Sequence, residues 1–271
     1  MIKQILVGLN MSGDWVQKFF VESGELFLQI MNEKWKVAET EANAIAKILR
    51  KHGLKNGKIL DLMCGNGRIS INLAKLGYKV IGIDLSSMYI EDAKKRAKEH
   101  GVEENVKFFT GDVRKLDKVL KEEEKFDAVI NTWTSIGYYN EETDQQIFSK
   151  ARKLTKKGGI LIIANCGSRD FEIRRFHPKH WEKVGNIIIL HESEFNYQTS
   201  KLKSTWNFFE QENNDLKFLK KLELELRLYS IHELVTILKR AGWETIEAYK
   251  NIVTLESFDP LGPINIVAKA I

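Results

Sequence analysis

The chain has 271 residues, 43% apolar and 29% charged, with 42 Lys and Arg against 37 Asp and Glu. That composition suits a folded globular protein with enough apolar material for a core; two cysteines alone, Cys64 and Cys166, exclude a disulfide framework or a four-cysteine zinc site, and a net charge of +5 is too mild to argue for nucleic acid. No run approaches the roughly 20 consecutive apolar residues of a membrane helix and residues 1–13 show no secretory leader, so a cytoplasmic, reducing setting with no membrane partner is expected.

Residues 15–35 carry Trp15, Phe19, Phe20, Phe27 and Trp35 at helical spacing, which predicts a core-packed helix. A second helix is predicted over 40–51, with Ala42, Ile45, Ala46 and Leu49 on one face and Thr40 as its cap. Strand-like and helical segments then alternate. The strands are 58–62, 79–83, 106–109, 126–130 and 159–164; Ile69, Leu73 and Leu76 mark one intervening helix, and Ser86 is placed to cap another that runs to His100. Strands separated by helical crossovers predict parallel neighbours in a doubly wound α/β sheet.

The pattern changes across 167–229. Leu222, Leu224, Leu226 and Leu228 alternate with Lys221, Glu223, Glu225 and Arg227, and Leu202, Ser204, Trp206 and Phe208 do the same earlier. This is the two-residue period of strands with one buried face, and polar stretches at 196–200 and 211–215 fit the turns. An antiparallel meander of about three strands, lying over the sheet as a lid, is expected. Ser230 with Glu233 forms a capping box, Gly242 ends that helix, and strands at 244–249 and 264–270 bring the sheet to seven. The chain thus divides into an N-terminal helical segment (1–39), a core (40–166 and 230–271) and the inserted β lid (167–229).

The segment Ile59-Leu-Asp-Leu-Met-Cys-Gly-Asn-Gly-Arg68 runs from a strand through a tight glycine loop into a helix. Loops at the carboxyl edge of a parallel sheet are where such folds bind ligands, and a helix start offers free amides. Gly-x-Gly alone also suits a simple tight turn. Three acids strengthen the ligand reading: Asp61 near the end of a strand that should be buried, Asp84 at the end of the second strand and 17 residues beyond Gly67, and Asp112 after the third. A buried carboxylate needs donors from the loop or a cation, and a carboxylate at the second strand end can take both hydroxyls of a ribose.

Together, Asp61-Leu-Met-Cys-Gly-Asn-Gly, Asp84 and Gly111-Asp112-Val113 resemble the binding motifs of class I S-adenosylmethionine-dependent methyltransferases, with a Rossmann-like fold, over residues 15–271. The lid before the last helix and strand pair is similar to that of small-molecule N- and O-methyltransferases of this class. The resemblance implies S-adenosyl-L-methionine as cofactor and S-adenosyl-L-homocysteine as product. It implies that Asp61 and Gly65 hold the methionine ammonium, that Gly67 lets the adenosine lie against the backbone, and that Asp84 takes the ribose hydroxyls. Leu85 then flanks the adenine, Asp112 accepts from its amino group, the Val113 amide meets a ring nitrogen, and Asn131 sits beside the methionine part. It also suggests that the N-terminal helix closes over the cofactor. Met63 departs from the family's small residue there, and packing under the loop is expected for it. A nicotinamide dehydrogenase is the rival reading; Ser70 replaces its third glycine, and a pyrophosphate would repel Asp61.

Methyl transfer from a sulfonium needs alignment and exclusion of water more than a fixed base, so no catalytic residue stands out; Tyr138 and His180 are the candidates. Trp133, Ser135, Tyr138 and Tyr139 follow the fourth strand and are candidates for the acceptor side, packing being the alternative for Trp133 and one tyrosine. Nucleobase-amine methylating members carry Asn/Asp-Pro-Pro-aromatic there, and Asn131-Thr-Trp-Thr lacks both prolines. His177 and His180 form H-x-x-H without an adequate third ligand, so a lid helix or turn is expected rather than a metal. Arg174 and Arg175 read as solvated surface, and in the lid Glu192, Glu194, Trp206, Arg227 and Tyr229 are pocket candidates. With 11 Lys and Arg against 10 Asp and Glu, the lid segment is poor for phosphate. The expected function is methyl transfer to an N or O atom of a small molecule. An RNA or protein methyltransferase, or a cofactor-binding module without activity, are the alternatives.

Overall fold

The computed structural model describes residues 14–120, 125–133, 135–260 and 262–271. The expectation about a leader at 1–13 lies outside the described residues. A short helix α1 (Asp14–Gln17) and a π-helical turn (Lys18–Glu22) lead into α2 (Gly24–Lys51). The alternation follows as β1 (Lys58–Leu62), α3 (Arg68–Lys75), β2 (Lys79–Asp84), α4 (Ser87–Glu99) and β3 (Val106–Thr110). A 3-10 turn (Val113–Lys115), α5 (Leu116–Val119), β4 (Phe126–Thr132), α6 (Glu141–Lys153) and β5 (Thr155–Cys166) come next. After α7 (Arg169–Arg174) there are β6 (Lys179–Val184), β7 (Ile187–Asn196), β8 (Lys201–Glu212) and β9 (Asp215–Arg227). The chain closes with α8 (Ile231–Arg240), β10 (Trp243–Asn251), a two-residue β11 (Glu256–Ser257) and β12 (Ile264–Ala270).

The main sheet has the order β11-β10-β12-β5-β4-β1-β2-β3. Strands β1 to β5 are parallel, each reached through a crossover, while β12 runs antiparallel between β5 and β10. Both faces are covered, so strand residues are apolar on each side. Leu60, Ile83, Val129 and Leu161 join a core on one face; Ile59, Val80, Ala128 and Ile160 join a core on the other. The strand order reverses between β1 and β4, which opens a crevice at their carboxyl ends. The seven expected strands are present, and the two-residue β11 makes an eighth.

The insert is a four-stranded antiparallel sheet, β6-β7-β8-β9, rather than three strands. His180 sits on β6, so the stretch expected as a helix or turn is an edge strand. The reason is cross-strand pairing: His180 lies opposite His191, and the two rings stack at 4.4 Å and 2°. Ile187, Ile189, Phe208, Leu222 and Leu224 turn inward and share a core with Trp15, Phe19, Leu26 and Ile30 of the N-terminal helices.

Two caps differ from expectation. Residue 40 lies inside the unbroken α2, so Thr40 caps nothing, and the division expected between 39 and 40 falls within a helix. Ser86 occupies the N-cap position of α4 without a side-chain cap bond. By contrast the Ser230–Glu233 capping box forms in full. No described helix is long and apolar enough to cross a membrane.

Gly67 ties the glycine loop to the sheet. Its φ is +75°, and a Cβ there would lie 2.6 Å from Phe108 Cζ and 3.0 Å from Ala93 Cβ. Both constraints oppose any side chain. Gly67→Ala is expected to destabilise the fold by about 1–3 kcal/mol, read as a lowered urea midpoint with unchanged slope.

Candidate functional site

The site grows from the turn after β1. Cys64 N–H donates to the Ile83 carbonyl at 3.1 Å, and Gly67 N–H to the Cys64 carbonyl at 3.1 Å, which makes the loop compact. Gly65 N–H donates to Asp84 Oδ2 at 2.8 Å, and Ser86 N–H to Asp84 Oδ1 at 3.0 Å. Asp84 is therefore the acceptor for the loop amide. Asp61, expected to find loop donors, takes its partner from α3 instead: Ser70 Oγ donates to Asp61 Oδ2 at 2.6 Å. Asp61 Oδ1 is buried with no hydrogen-bond partner.

Burial pushes the Asp61 carboxyl up to about 7, against the pull of Ser70 and Arg68, with Asp84 adding to the rise. Burial likewise raises Asp84, opposed by the amides of Ser86, Gly65 and Leu85. Asp112 behaves differently. Burial works against its charge, but Arg114 donates Nε to Oδ1 at 3.0 Å and Nη2 to Oδ2 at 2.7 Å, holding the carboxyl below the usual range. The rim thus has two desolvated acids and one ion-paired acid.

Two adjacent cavities open above this rim. The first, a cleft enclosing about 790 Å³ and open to solvent, is walled by Gly65, Asp84, Leu85, Asp112 and Val113 on the sheet side, and by Phe20, Phe27 and Met31 from the N-terminal helices. The second, about 1190 Å³, lies between those helices and the lid, against Trp15, Trp206, Leu224 and Leu226. Phe20, Phe27, Trp133 and Tyr138 belong to both and form an aromatic partition. Tyr138 stacks on Phe20 at 5.3 Å, and Phe27 on Trp133 at 5.7 Å.

Of the residues singled out in the sequence, Gly65, Asp84, Leu85, Asp112, Val113, Trp133, Ser135, Tyr138 and Tyr139 are brought together around the first cleft. Asp61, Gly67 and Asn131 are not among its walls. Asn131 donates Nδ2 to the Leu62 carbonyl at 3.1 Å, bracing β4 against β1 across the crevice. Met63, expected under the loop, lines the cleft with φ +57°. Arg227 lies outside both cavities; it bonds the Leu228 carbonyl and Glu233 and covers the Tyr229 ring. Tyr229 is buried, donating to Asp144 Oδ2 at 2.7 Å. Glu192 pairs with Lys179, and Glu194 lies at a separate surface hollow. His180 is outside both cavities, whereas Trp206 lines the second.

Several site residues carried no signal in the sequence. Arg68, 5% exposed, lines the cleft, pairs with Glu41 and sits 5.6 Å from the Trp133 ring centroid. Tyr89 lines the cleft and donates to the Gly24 carbonyl at 3.1 Å, fixing the start of α2. Asn66 donates to Asn32 at 3.1 Å and to Asp92 at 3.2 Å, holding α2 over the loop. Asp144 accepts from Gly137 N–H at 3.1 Å as well as from Tyr229. Burial raises it to about 7.

A family profile described as a methyltransferase domain matches residues 54–242. The chain belongs to this methyltransferase family. Its glycine loop, acidic strand ends and all four lid strands fall within the match. The chain is 37% identical over 112 residues to a ubiquinone biosynthesis O-methyltransferase of Pelagibacter ubique, covering 41% of this chain and 42% of that protein. It spans less than half the length of such curated relatives. In fold, the methyltransferase is similar to an S-adenosylmethionine-dependent methyltransferase from Clostridium acetobutylicum, with TM-score 0.74 and 16% identity, covering 92% of this chain and 98% of that one. It is also similar to CalS10, an amino pentose methyltransferase from Micromonospora echinaspora solved with S-adenosylmethionine, with TM-score 0.67, 17% identity, and 86% and 92% of the two chains covered.

The raised Asp61 carboxyl gives this methyltransferase a pH signature. Unfolded, an aspartate titrates near 3.9; folded, Asp61 titrates at about 7. Between these values the folded chain keeps a proton that the unfolded chain has released. The stability contribution is therefore full below about pH 4, declines as pH rises, and is lost above about 7. Asp144 adds a slope of the same sign. Thermal melts from pH 5 to 8 are expected to show a smaller loss of stability for Asp61→Asn than for the wild type.

Proposed function

We propose that the protein is an S-adenosylmethionine-dependent methyltransferase acting on an N or O atom of a small molecule. One observation carries the reading: two desolvated acids lie at the sheet's carboxyl rim, Asp84 in the wall of a cleft and Asp61 buried behind it, and the cleft shares an aromatic partition with a second chamber. Such a rim favours a cationic ligand and disfavours a pyrophosphate. A ligand with both an ammonium and a sulfonium matches it, and the buried, unpartnered Oδ1 of Asp61 is a place where positive charge lowers the cost of burial.

The residues present fit this cofactor. Asp84 and Gly65 would hold its polar groups, Leu85 and Val113 would flank the base, and Met31, Phe20 and Phe27 would cover it from the helical side. When bound, the cofactor supplies an electrophilic methyl group. The chain's own part is alignment and exclusion of water, by the aromatic partition and by the lid with its inner apolar face. Tyr138 is held in its neutral form by burial, with Asp84 reinforcing the effect, which is the wrong direction for a base. We assign it to packing and orientation of the acceptor, and His180 to the lid strand.

The second chamber supports a compact acceptor. Trp206, Leu224 and Leu226 from the lid close it on the side away from the sheet. Apolar and aromatic walls from both the lid and the N-terminal helices favour a compact acceptor over RNA or a protein segment, as does the balanced charge of the lid. Formation of S-adenosylhomocysteine from S-adenosylmethionine in the presence of each member of a panel of amine and hydroxyl metabolites tests the assignment. Donor binding without product from any of them would favour a binding module instead, and product only with RNA would favour the polymer reading.

Asp84→Asn removes a charge but keeps one acceptor oxygen. Its affinity for S-adenosylhomocysteine is expected to fall by about 1–3 kcal/mol, the worth of charge-assisted hydrogen bonds, measured by titration calorimetry. Tyr138→Phe is expected to keep kcat within about threefold, because no proton transfer depends on the hydroxyl; single-turnover rates give the comparison.

A further inference from the structure

We infer that the second chamber recognises an organic amine, with its ammonium between the Glu182 carboxylate and the Trp133 indole and its apolar body on the aromatic walls. The inference rests on reading that chamber as the acceptor's. Four charged residues line it among the described residues: Glu33, Lys34, Glu182 and Lys183. Two of them are engaged elsewhere. Glu33 pairs with Lys36, and Lys183 Nζ donates to Gln211 Oε1 at 2.5 Å. Glu182 and Lys34 are left to face the chamber.

Glu182 is held from the lid's inner face. Its Oε1 lies 3.3 Å from Nε2 of His191, a residue only 4% exposed. His191 is itself fixed, stacked on His180 and edge-on to Trp206 at 4.6 Å. The His191 contact keeps the Glu182 carboxyl below its usual range despite partial burial, with Lys34 and His180 adding smaller pulls. The chamber therefore presents a half-exposed carboxylate backed by a buried imidazole, next to apolar and aromatic surface.

Lys34 shows what fits opposite. Its Nζ lies 5.4 Å from the Trp133 ring centroid, an ammonium over an indole face. Lys34 is exposed and reaches there on a flexible four-carbon stem, so its ammonium is a stand-in that a ligand can displace. The same ring attracts the Arg68 guanidinium from the first cleft at 5.6 Å. Trp133 is thus a cation-accepting wall on the chamber side, and Glu182 supplies the counter-charge. A ligand carboxylate would meet Glu182 repulsion, and of the two lysines on the chamber wall Lys183 is already bonded to Gln211.

Three probes of one shape test this: 2-phenylethylamine, 2-phenylethanol and 3-phenylpropionate, titrated into the wild type, Glu182→Gln and Lys34→Met. In the wild type the amine should bind at least tenfold tighter than the alcohol, and the carboxylate weakest. Glu182→Gln should bring amine and alcohol within about twofold of each other. Lys34→Met, which frees the indole face, should bind the amine at least as tightly as the wild type. Equal binding of amine and alcohol, a preference for the carboxylate, a preference that survives Glu182→Gln, or no binding of any probe would each overturn the inference. S-adenosylhomocysteine is titrated into the same samples, so that loss of the amine preference with S-adenosylhomocysteine binding intact sinks this inference alone. Absence of S-adenosylhomocysteine binding would sink the methyltransferase assignment beneath it.

Discussion

The carboxylate of Asp84, accepting one backbone N–H from Gly65 and another from Ser86, is the tie on which the rest of the site depends. It joins the turn after β1 to the turn after β2, so the two strand ends act as one rigid edge. Parallel register places the partners: Asp61 lies opposite Gly82, and the absent side chain at Gly82 leaves room for Cys64 and Phe108. Burying an acid is costly, and two amides offset part of that cost without removing the charge. The same bond takes up a loop amide, the kind of donor a buried Asp61 needs. Asp61 is left with Ser70 and an orphaned oxygen.

A second carboxylate organises the other side. Asp144, in the first turn of α6, accepts from Gly137 in the loop after β4 and from Tyr229 at the end of the lid. Arg227 N–H donates to the Gly137 carbonyl at 2.8 Å, so the lid's last strand is stitched to the same loop. Gly137 has φ +88°, and a Cβ there would collide with the Arg227 carbonyl. The lid root, the loop after β4 and α6 are therefore held together, and that loop carries two members of the aromatic partition, Trp133 and Tyr138.

The parallel strands and the glycine loop were legible because they rest on local signals: apolar runs, turn glycines and acids at strand ends. The capping box at Ser230 was legible for the same reason. What failed depends on distant partners. Thr40 reads as a cap only until Phe27 and Trp35 before it are found to lie in the same helix. His180 reads as half of a local H-x-x-H, but its partner is His191 across a hairpin, and that pairing makes a strand of it. Asp144 carries no local mark, since its hydroxyl partner is 85 residues away. Arg227 alternates like a lid residue facing a pocket, yet Glu233 of the capping box claims it. Phe20 and Phe27 were legible as helical aromatics, and only the family resemblance suggested that their segment closes over a cofactor; Met31, which lines the same cleft, carried no signal, because its place is set by how α2 crosses the loop.

Shared walls make the two cavities dependent on each other. Phe20 and Phe27 come from the N-terminal helices, Trp133 and Tyr138 from the loop after β4, and neither pair can shift without reshaping both spaces. The strain of Trp133, with φ +62°, is held by its N–H bond to the Ala164 carbonyl at 2.8 Å and by stacking on Phe27. A displacement reaction needs its two reactants aligned across just such a boundary, and errors on the order of 1 Å are costly there. Rigid backing on the sheet side, from Asp84 and Asn131, and on the lid side, from Asp144, leaves the N-terminal helices as the part of the enclosure tied mainly by side chains. Asn66–Asn32, Arg96–Asn32, Tyr89–Gly24 and the Arg68 and Asn165 pairs to Glu41 are among those ties. Releasing α2 from the loop would break them and would also strip apolar packing, since Leu26 and Ile30 belong to one core and Ile45, Ile48 and Leu49 to the other, so the roof of the cleft is held by the same cores that hold the sheet.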